Sequence, residues 1–159
     1  MNIDRFTTIA RGAVATAQSL AVEFSHTEFG TLHLLQALLQ DDRGIAAAII
    51  ERSGHHPAAL AEIVTAELNR MPTVTASSPK PPSTTGPLMQ AISGAEQLAS
   101  SMGDQYVSVE HLLLALAETP SPAKTAMSAV GLEPGLIRSA IEELRAASGV
   151  ECIDDPEAE

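Results

Sequence analysis

The side chains with the most versatile chemistry in this 159-residue sequence are five histidines, two lysines and one cysteine. A nucleotide-binding P-loop needs a lysine within Gly-Lys-Ser/Thr, and neither Lys80 nor Lys124 follows a glycine. The adjacent pair His55 and His56 has neither the four-residue spacing of the helical zinc motif nor a further set of ligands. Cys152 lies in an acidic stretch without the organised histidine partner that a thiol nucleophile requires. The sequence therefore predicts a non-catalytic chain that carries no metal and no cofactor of its own.

Two further histidines, His33 and His111, occupy equivalent positions in a repeated motif. An offset of 78 residues aligns residues 33–38 (His-Leu-Leu-Gln-Ala-Leu) with residues 111–116 (His-Leu-Leu-Leu-Ala-Leu). After a one-residue deletion the offset becomes 77, and Ala46, Gly54 and Pro57 then align with Ala123, Gly131 and Pro134. Histidine, glycine and proline in the same order indicate an internal duplication. The pair could form a symmetric site, but we favour the interpretation in which each ring packs and bonds locally, one turn into its helix.

Each copy of the repeat is predicted to form four helices. Apolar residues recur at steps of three and four along both copies, which is typical of amphipathic helices. The predicted helices cover residues 3–24, 31–40, 45–52 and a segment opened by Pro57 in the first copy, and residues 88–102, 109–118, 123–130 and a segment opened by Pro134 in the second. Ser108 is expected to cap its helix through its hydroxyl, with Glu110 in the favourable first turn. No strand pattern of useful length competes, so the predicted fold class is all-α.

The domain organisation follows from two changes in composition. Residues 72–87 hold half of the ten prolines and are predicted to be an extended linker between repeat one, residues 1–71, and repeat two, residues 88–147. Residues 148–159 carry five of the twenty acidic residues and are predicted to be a solvated, flexible tail. The two repeats are expected to pack as one domain, residues 1–147, because each alone would expose an apolar face. The expected core includes Leu34, Leu35, Leu38, Leu112, Leu113 and Leu116.

Charge excludes several classes of partner. The formal net charge is −11, whereas a nucleic-acid-binding surface needs clustered lysine and arginine to neutralise phosphates. The same sign disfavours an anionic membrane surface. The N-terminus has no basic start followed by an apolar run, and no stretch approaches the length of a membrane span. We therefore expect no nucleic-acid partner, no membrane partner and a cytoplasmic location.

The duplicated four-helix unit, with His-Leu-Leu near the start of its second helix, resembles the Clp N-terminal domain family over residues 1–147. Within this family the sequence is most similar to the ClpB branch. The segments that carry this likeness are residues 4–7 (Asp-Arg-Phe-Thr), 17–21 (Ala-Gln-Ser-Leu-Ala), 68–72 (Leu-Asn-Arg-Met-Pro) and 103–108 (Gly-Asp-Gln-Tyr-Val-Ser). The resemblance implies one domain built from two pseudo-symmetric four-helix repeats.

The resemblance also implies a function. It implies a non-catalytic, monomeric domain that captures unfolded or aggregated polypeptides for a homohexameric AAA+ disaggregase, whose downstream modules use ATP and magnesium. Residues 148–159 would then be the start of the linker to those modules, as the alternative to a flexible tail. Two alternatives remain open: a domain that docks adaptor proteins, as in ClpA or ClpC unfoldases that feed a protease, and a free-standing relative.

The resemblance further implies a client site. In ClpB relatives, polar residues matching Thr7, Asp104 and Glu110 mark a surface tied to substrate handling, beside an apolar groove at the positions of Ile92 and His111. A structural interpretation competes with this one, because Thr7 and Glu110 would equally serve to cap and charge helix N-termini.

Overall fold

Each half of the chain folds into four α-helices in the computed structural model, which describes residues 3–74 and 80–157. The helices are α1 (Thr8–Glu23), α2 (Thr31–Gln40), α3 (Ile45–Arg52), α4 (Pro57–Asn69), α5 (Gly86–Ser101), α6 (Val109–Glu118), α7 (Pro122–Ala129) and α8 (Pro134–Ser148). The only strands in the described residues are two short ones, β1 (Glu28–Phe29) and β2 (Ser83–Thr84). The predicted all-α fold of two four-helix repeats is confirmed. No described helix is long and apolar enough to cross a membrane.

Equivalent residues start the equivalent helices of the two repeats. The hydroxyl of Thr7 accepts a hydrogen bond from the backbone N–H of Ala10 at 3.1 Å, and the hydroxyl of Thr85 accepts one from Leu88 at 3.3 Å. Each threonine therefore satisfies an amide in the first turn of α1 or α5 that has no helical partner. The fourth helix of each repeat begins with a proline, as predicted, where its missing N–H costs little.

The core is continuous across both repeats, with α2 and α6 at its centre. These two helices contact each other, and each also contacts five of the other six helices. The six leucines predicted to be buried all lie in this core: Leu34, Leu35, Leu38, Leu112, Leu113 and Leu116 are at most 4% exposed. The core therefore buries the apolar face that each repeat alone would expose to water.

The repeats also exchange short extended segments. β1 pairs in parallel with β2, with Phe29 opposite Thr84, immediately before α5. The same pairing recurs 78 residues away, where Val107 pairs in parallel with Phe6 immediately before α1. The backbone N–H of Val107 donates to the carbonyl of Arg5 at 2.7 Å, and that of Thr7 donates to Val107 at 2.9 Å. Each repeat thus pairs with the extended residues that precede the first helix of the other repeat.

Two predicted helix boundaries are wrong. The first helix does not begin at Ile3, because Ile3–Arg5 form a 3-10 turn and Phe6 is extended in the pairing with Val107. α5 begins at Gly86, inside the predicted linker, because Thr85 caps it there. Thr73 and Val74 are extended as the linker prediction requires and pair with the turn at residues 25–26. Residues 75–79 of the predicted linker lie outside the described residues.

The prediction of a solvated tail does not include the contacts that residues 150–157, which we call the C-terminal strap, make with the rest of the domain. Gly149 ends α8 in the left-handed conformation at φ 76°, and the chain then turns back across the second repeat. The Ile153 side chain is 5% exposed, and its backbone bonds to residues 104–106. The acidic side chains of the strap do face solvent, but its single isoleucine supplies an apolar anchor that overrides the polar composition.

Candidate functional site

The two repeat histidines cap the helices on which they lie. His33 in α2 and His111 in α6 are both fully buried. The Nδ1 atom of His33 accepts from the backbone N–H of Gly30 at 3.0 Å, and that of His111 accepts from Ser108 at 2.8 Å. These two N–H groups belong to the residues that precede the helices, where backbone donors need outside partners. The geometry agrees with the local, structural interpretation of both histidines, and it assigns the ring proton to Nε2.

In the first repeat the histidine meets a second imidazole. The Nε2 atom of His33 lies 2.7 Å from Nδ1 of His26, which is 3% exposed and stacks on Phe24 at 5.1 Å between ring centroids. Burial, together with the neighbouring His26, lowers the pKa of His33 to about 4. Burial also lowers the pKa of His26, against a hydrogen bond with the backbone of Leu68. Both rings are therefore neutral at pH 7.

In the second repeat the equivalent histidine meets a carboxylate. His111 Nε2 lies 2.7 Å from Oδ2 of Asp104, the residue that aligns with His26 at an offset of 78. Burial lowers the pKa of His111, and the nearby carboxylates oppose this shift without reversing it. Burial alone would raise the pKa of Asp104, but hydrogen bonds from Arg145, from the backbone of Ile153 and from His111 outweigh it, so this pKa is lowered. Asp104 is therefore a buried anion with a full set of donors.

Arg145 neutralises this carboxylate together with a second one. Its Nη2 lies 2.7 Å from Asp104 Oδ2, and its Nε lies 2.7 Å from Glu110 Oε1, which Nη2 also contacts. Burial disfavours the guanidinium charge, but the two carboxylates outweigh it and raise the pKa of Arg145. We call Asp104, Glu110, His111 and Arg145 the ion cluster.

The ion cluster is unsuited to metal binding. Ligand atoms of Asp104, Glu110 and His111 lie within 4.8 Å of one another, as a metal site would require. However, Arg145 already occupies both carboxylates, and its positive charge would repel a cation in the same place.

The ion cluster is equally unsuited to catalysis. The Ser108 hydroxyl lies 3.1 Å from His111 Nδ1, which gives a Ser-His-Asp sequence of contacts with Asp104. Yet Ser108 is fully buried, and the same Nδ1 already accepts its backbone N–H. A nucleophile needs access to its substrate and a base with an available lone pair.

The five residues of the predicted client site are all at most 8% exposed. Asp104, Glu110 and His111 lie together in the ion cluster, and Thr7 is joined to this region through the backbone of Val107. Ile92 lies apart, at the edge of a cavity of about 410 Å³ that Met89 and Glu96 also line. An open groove formed by the side chains of Ile92 and His111 is therefore not found, because the first packs in the core and the second caps α6.

Sequence reasoning missed Arg145 and Ile153. Arg145 aligns with Leu68 at an offset of 77, and Glu110 aligns with Leu32 at an offset of 78. Two residues of opposite charge in the second repeat thus replace two leucines that are buried in the first. Buried charges are rarely unpaired. An acidic and a basic residue at two positions that hold leucine in the other repeat could therefore have predicted the ion cluster.

The C-terminal strap covers a surface next to the ion cluster, and we call this surface the docking face. Three parts form the docking face: the Asp104 carboxylate with the backbone N–H groups of residues 105–106, the start of α1 at Thr8, and the half-buried apolar side chains of Ile45, Ala48 and Leu144. These side chains line a cavity of about 320 Å³ that Ile153 borders. The docking face accordingly offers backbone donors at one edge and an apolar depression beside them.

Comparison with known proteins places this geometry in a family. The model of the Clp repeat N-terminal domain family matches residues 5–130 and 88–147. The ClpB chaperone of Rhodopseudomonas palustris is 35% identical over 146 residues, covering 91% of this chain but 17% of the relative. The chain therefore spans about a sixth of the length of this relative.

Solved structures agree on the fold. The N-terminal domain of Hsp104 from Candida albicans superposes with a TM-score of 0.82 at 25% identity, over 96% of this chain and 97% of that one. A ClpV N-domain in complex with a VipB peptide has a TM-score of 0.70 at 15% identity, over 99% and 91% of the two chains. The duplicated helices, the family match over most of the chain and these relatives lead to one conclusion: the chain belongs to the Clp repeat N-terminal domain family.

Proposed function

We propose that this chain is a non-catalytic substrate-binding domain of a ClpB-type disaggregase and that it captures unfolded or aggregated polypeptides. Likeness to ClpB chaperones supports this proposal, as does the absence of an accessible catalytic constellation in the described residues. ATP and magnesium would act in other modules of a cytoplasmic homohexamer. Thr7 and Glu110 would shape the docking face from beneath, whereas Asp104 would accept a backbone N–H of the client as it accepts that of Ile153.

One observation carries the proposal: the docking face already holds a segment of polypeptide that has no helix or strand. Its backbone N–H groups donate to carbonyls of the strap, the Asp104 carboxylate accepts a backbone N–H of the strap, and the strap buries one aliphatic side chain there. Backbone groups are common to all polypeptides, so such a surface recognises extended segments with little dependence on sequence. A domain that must capture unrelated unfolded proteins requires this kind of recognition.

Adaptor docking is the second candidate, because a structural neighbour is an N-domain in complex with a defined peptide. The two functions differ in their range of ligands. A capture domain binds many unrelated unfolded chains, whereas an adaptor-docking domain binds one folded partner tightly.

The test is a titration of the isotopically labelled chain with several unrelated, permanently unfolded polypeptides. We expect saturable shifts of the amide signals of Thr8, Gln105 and Tyr106 with each polypeptide. Leu144→Asp, at the docking face, should weaken binding, whereas Leu136→Asp, two turns earlier on α8, should not. Melting curves of both variants establish that they are folded. Absence of saturable binding, or equal effects of the two substitutions, would refute the proposal.

A further inference from the structure

The strap is fixed to the docking face at Ile153. Its backbone N–H donates to Oδ1 of Asp104 at 2.7 Å, and its carbonyl accepts from Gln105 at 2.8 Å and from Tyr106 at 3.3 Å. The same residue buries its side chain beside Ile45 and Leu144. A single residue therefore supplies three backbone hydrogen bonds and the apolar anchor of the strap.

A second attachment lies at the start of α1. The backbone N–H of Thr8 donates to the carbonyl of Pro156 at 2.9 Å, and the Thr8 hydroxyl contacts the Glu157 carboxylate. This amide lies in the first turn of α1 and needs a partner from outside the helix, and a carboxylate is favoured at that helix end. The strap thus runs from the end of α8 to the start of α1 and crosses the whole docking face.

Few buried residues hold the strap on the docking face. Val150, Glu151, Cys152, Asp154, Asp155 and Glu157 are exposed, so Ile153 is the one buried residue of the strap. Segments with few buried apolar contacts open more readily than the core. The strap carries four acidic side chains on a chain of net charge −11, which further disfavours its closed position.

The first repeat contains a comparable contact on a segment that lies between two helices. Thr73 pairs with His26, which is the equivalent of Asp104, and the N–H of Val74 donates to the carbonyl of Ser25 at 2.7 Å. That segment is tied to α4 on one side and leads towards α5 on the other. Both repeats therefore bind the segment that follows their last helix.

We propose that the C-terminal strap is an intramolecular competitor for the docking face, which a client displaces with an extended segment whose aliphatic side chain takes the place of Ile153. The inference rests on the proposed function, because it names the chain that a client must displace. Every contact of the strap at Ile153 is one that another extended segment with isoleucine, leucine or valine can reproduce. A client with basic residues beside its aliphatic anchor has the advantage over the acidic strap.

The test compares Ile153→Asp and Ile153→Ala with Cys152→Asp in the whole chain. Cys152 is the exposed neighbour of Ile153, so its substitution introduces the same charge without removing the anchor. Affinity for a fluorescent, permanently unfolded polypeptide is measured by anisotropy, and exchange of the Gln105 and Tyr106 amides reports release of the strap. If the wild-type strap is open about one-fifth of the time, its release tightens client binding about fivefold. Ile153→Ala should lie between wild type and Ile153→Asp, and Cys152→Asp, which adds charge but keeps the anchor, should change client affinity far less than Ile153→Asp.

A synthetic peptide with the sequence of residues 150–157 provides an independent arm. Added to the folded Ile153→Asp chain, it should restore protection of the Gln105 and Tyr106 amides and compete with the client. Unchanged client affinity after release of the strap, or failure of the peptide to compete, overturns the inference and leaves the proposed function intact. Absence of client binding by every variant and by the wild type overturns the proposed function itself.

Discussion

Removal of the Arg145 guanidinium is the sharpest perturbation of the ion cluster. Arg145→Leu leaves Asp104 and Glu110, 4% and 8% exposed, without the cation that binds both. Loss of one partner from a buried ion pair costs about 3–5 kcal/mol of unfolding free energy. Asp104 keeps its bonds from His111 and Ile153, and Glu110 lies near solvent, so we expect about 3 kcal/mol, at the lower end of that range. For a chain of this length the melting temperature should fall by about 6–12 °C.

The first repeat supplies the matched comparison. It carries His26, Leu32 and Leu68 at the positions of Asp104, Glu110 and Arg145. The triple variant Asp104→His/Glu110→Leu/Arg145→Leu should therefore recover at least half of the loss, because exchange of a whole buried ion network for apolar residues is often close to neutral. Arg138→Leu is the control on the same helix: its ion pair with Glu118 is about 40% exposed, and it should cost less than about 1 kcal/mol.

Urea denaturation, followed through the helical circular dichroism signal at pH 7 and pH 5, measures these differences. Arg145 helps to hold the pKa of Asp104 below its ordinary value, so Asp104 contributes stability above its unfolded pKa that is lost only as pH falls through the folded one. Without Arg145 the Asp104 carboxyl protonates more readily, and the deficit of Arg145→Leu should shrink at pH 5. A deficit below about 1 kcal/mol at pH 7, or a triple variant as unstable as the single one, would refute this account.

Two further predictions concern the first repeat. Because the folded pKa of His33, about 4, lies below the unfolded value of 6.5, stability should fall by about 2 kcal/mol between pH 7 and pH 5. His33→Gln, which can still accept at the helix start, should reduce this dependence in urea titrations, and an unchanged slope would contradict the assignment. Ser25 has φ 56°, whereas its equivalent Gly103 has φ 76°. A residue other than glycine is strained at positive φ, so Ser25→Gly should raise the unfolding free energy by up to about 1 kcal/mol and Gly103→Ser should lower it. Variants as stable as the wild type would contradict this strain.

The elements that sequence predicts well are those in which local chemistry and burial agree. Periodic leucines and the prolines that open α4 and α8 place the helices because each feature acts within a few residues along the chain. Phe6 fits the apolar period of α1 but is extended, because its partner Val107 comes from the other repeat. Local periodicity contains no information about such a partner.

The candidate site divides in the same way. Asp104, Glu110 and His111 are brought together as the family resemblance suggests, but their role depends on Arg145, which lies 35 residues or more along the chain from either carboxylate. Composition predicts a solvated strap because it averages over the acidic residues, whereas the contacts of the strap depend on Ile153 and on the carbonyl of Pro156. Contacts of this kind depend on the packed structure and cannot be derived from spacing.

The pairing of each repeat with the residues that precede the other repeat's first helix determines when these contacts can form during synthesis. Phe6 is made near the beginning, yet Val107, which holds it, follows about 100 residues later. At about 5–20 residues per second, the ribosome needs roughly 5–20 s to deliver that partner. During this interval the entry to α1 has no strand beside it and the apolar ring of Phe6 has no cover from the second repeat. Until the second repeat is made, the first repeat therefore exposes apolar surface, as do the unfolded segments that chaperones recognise.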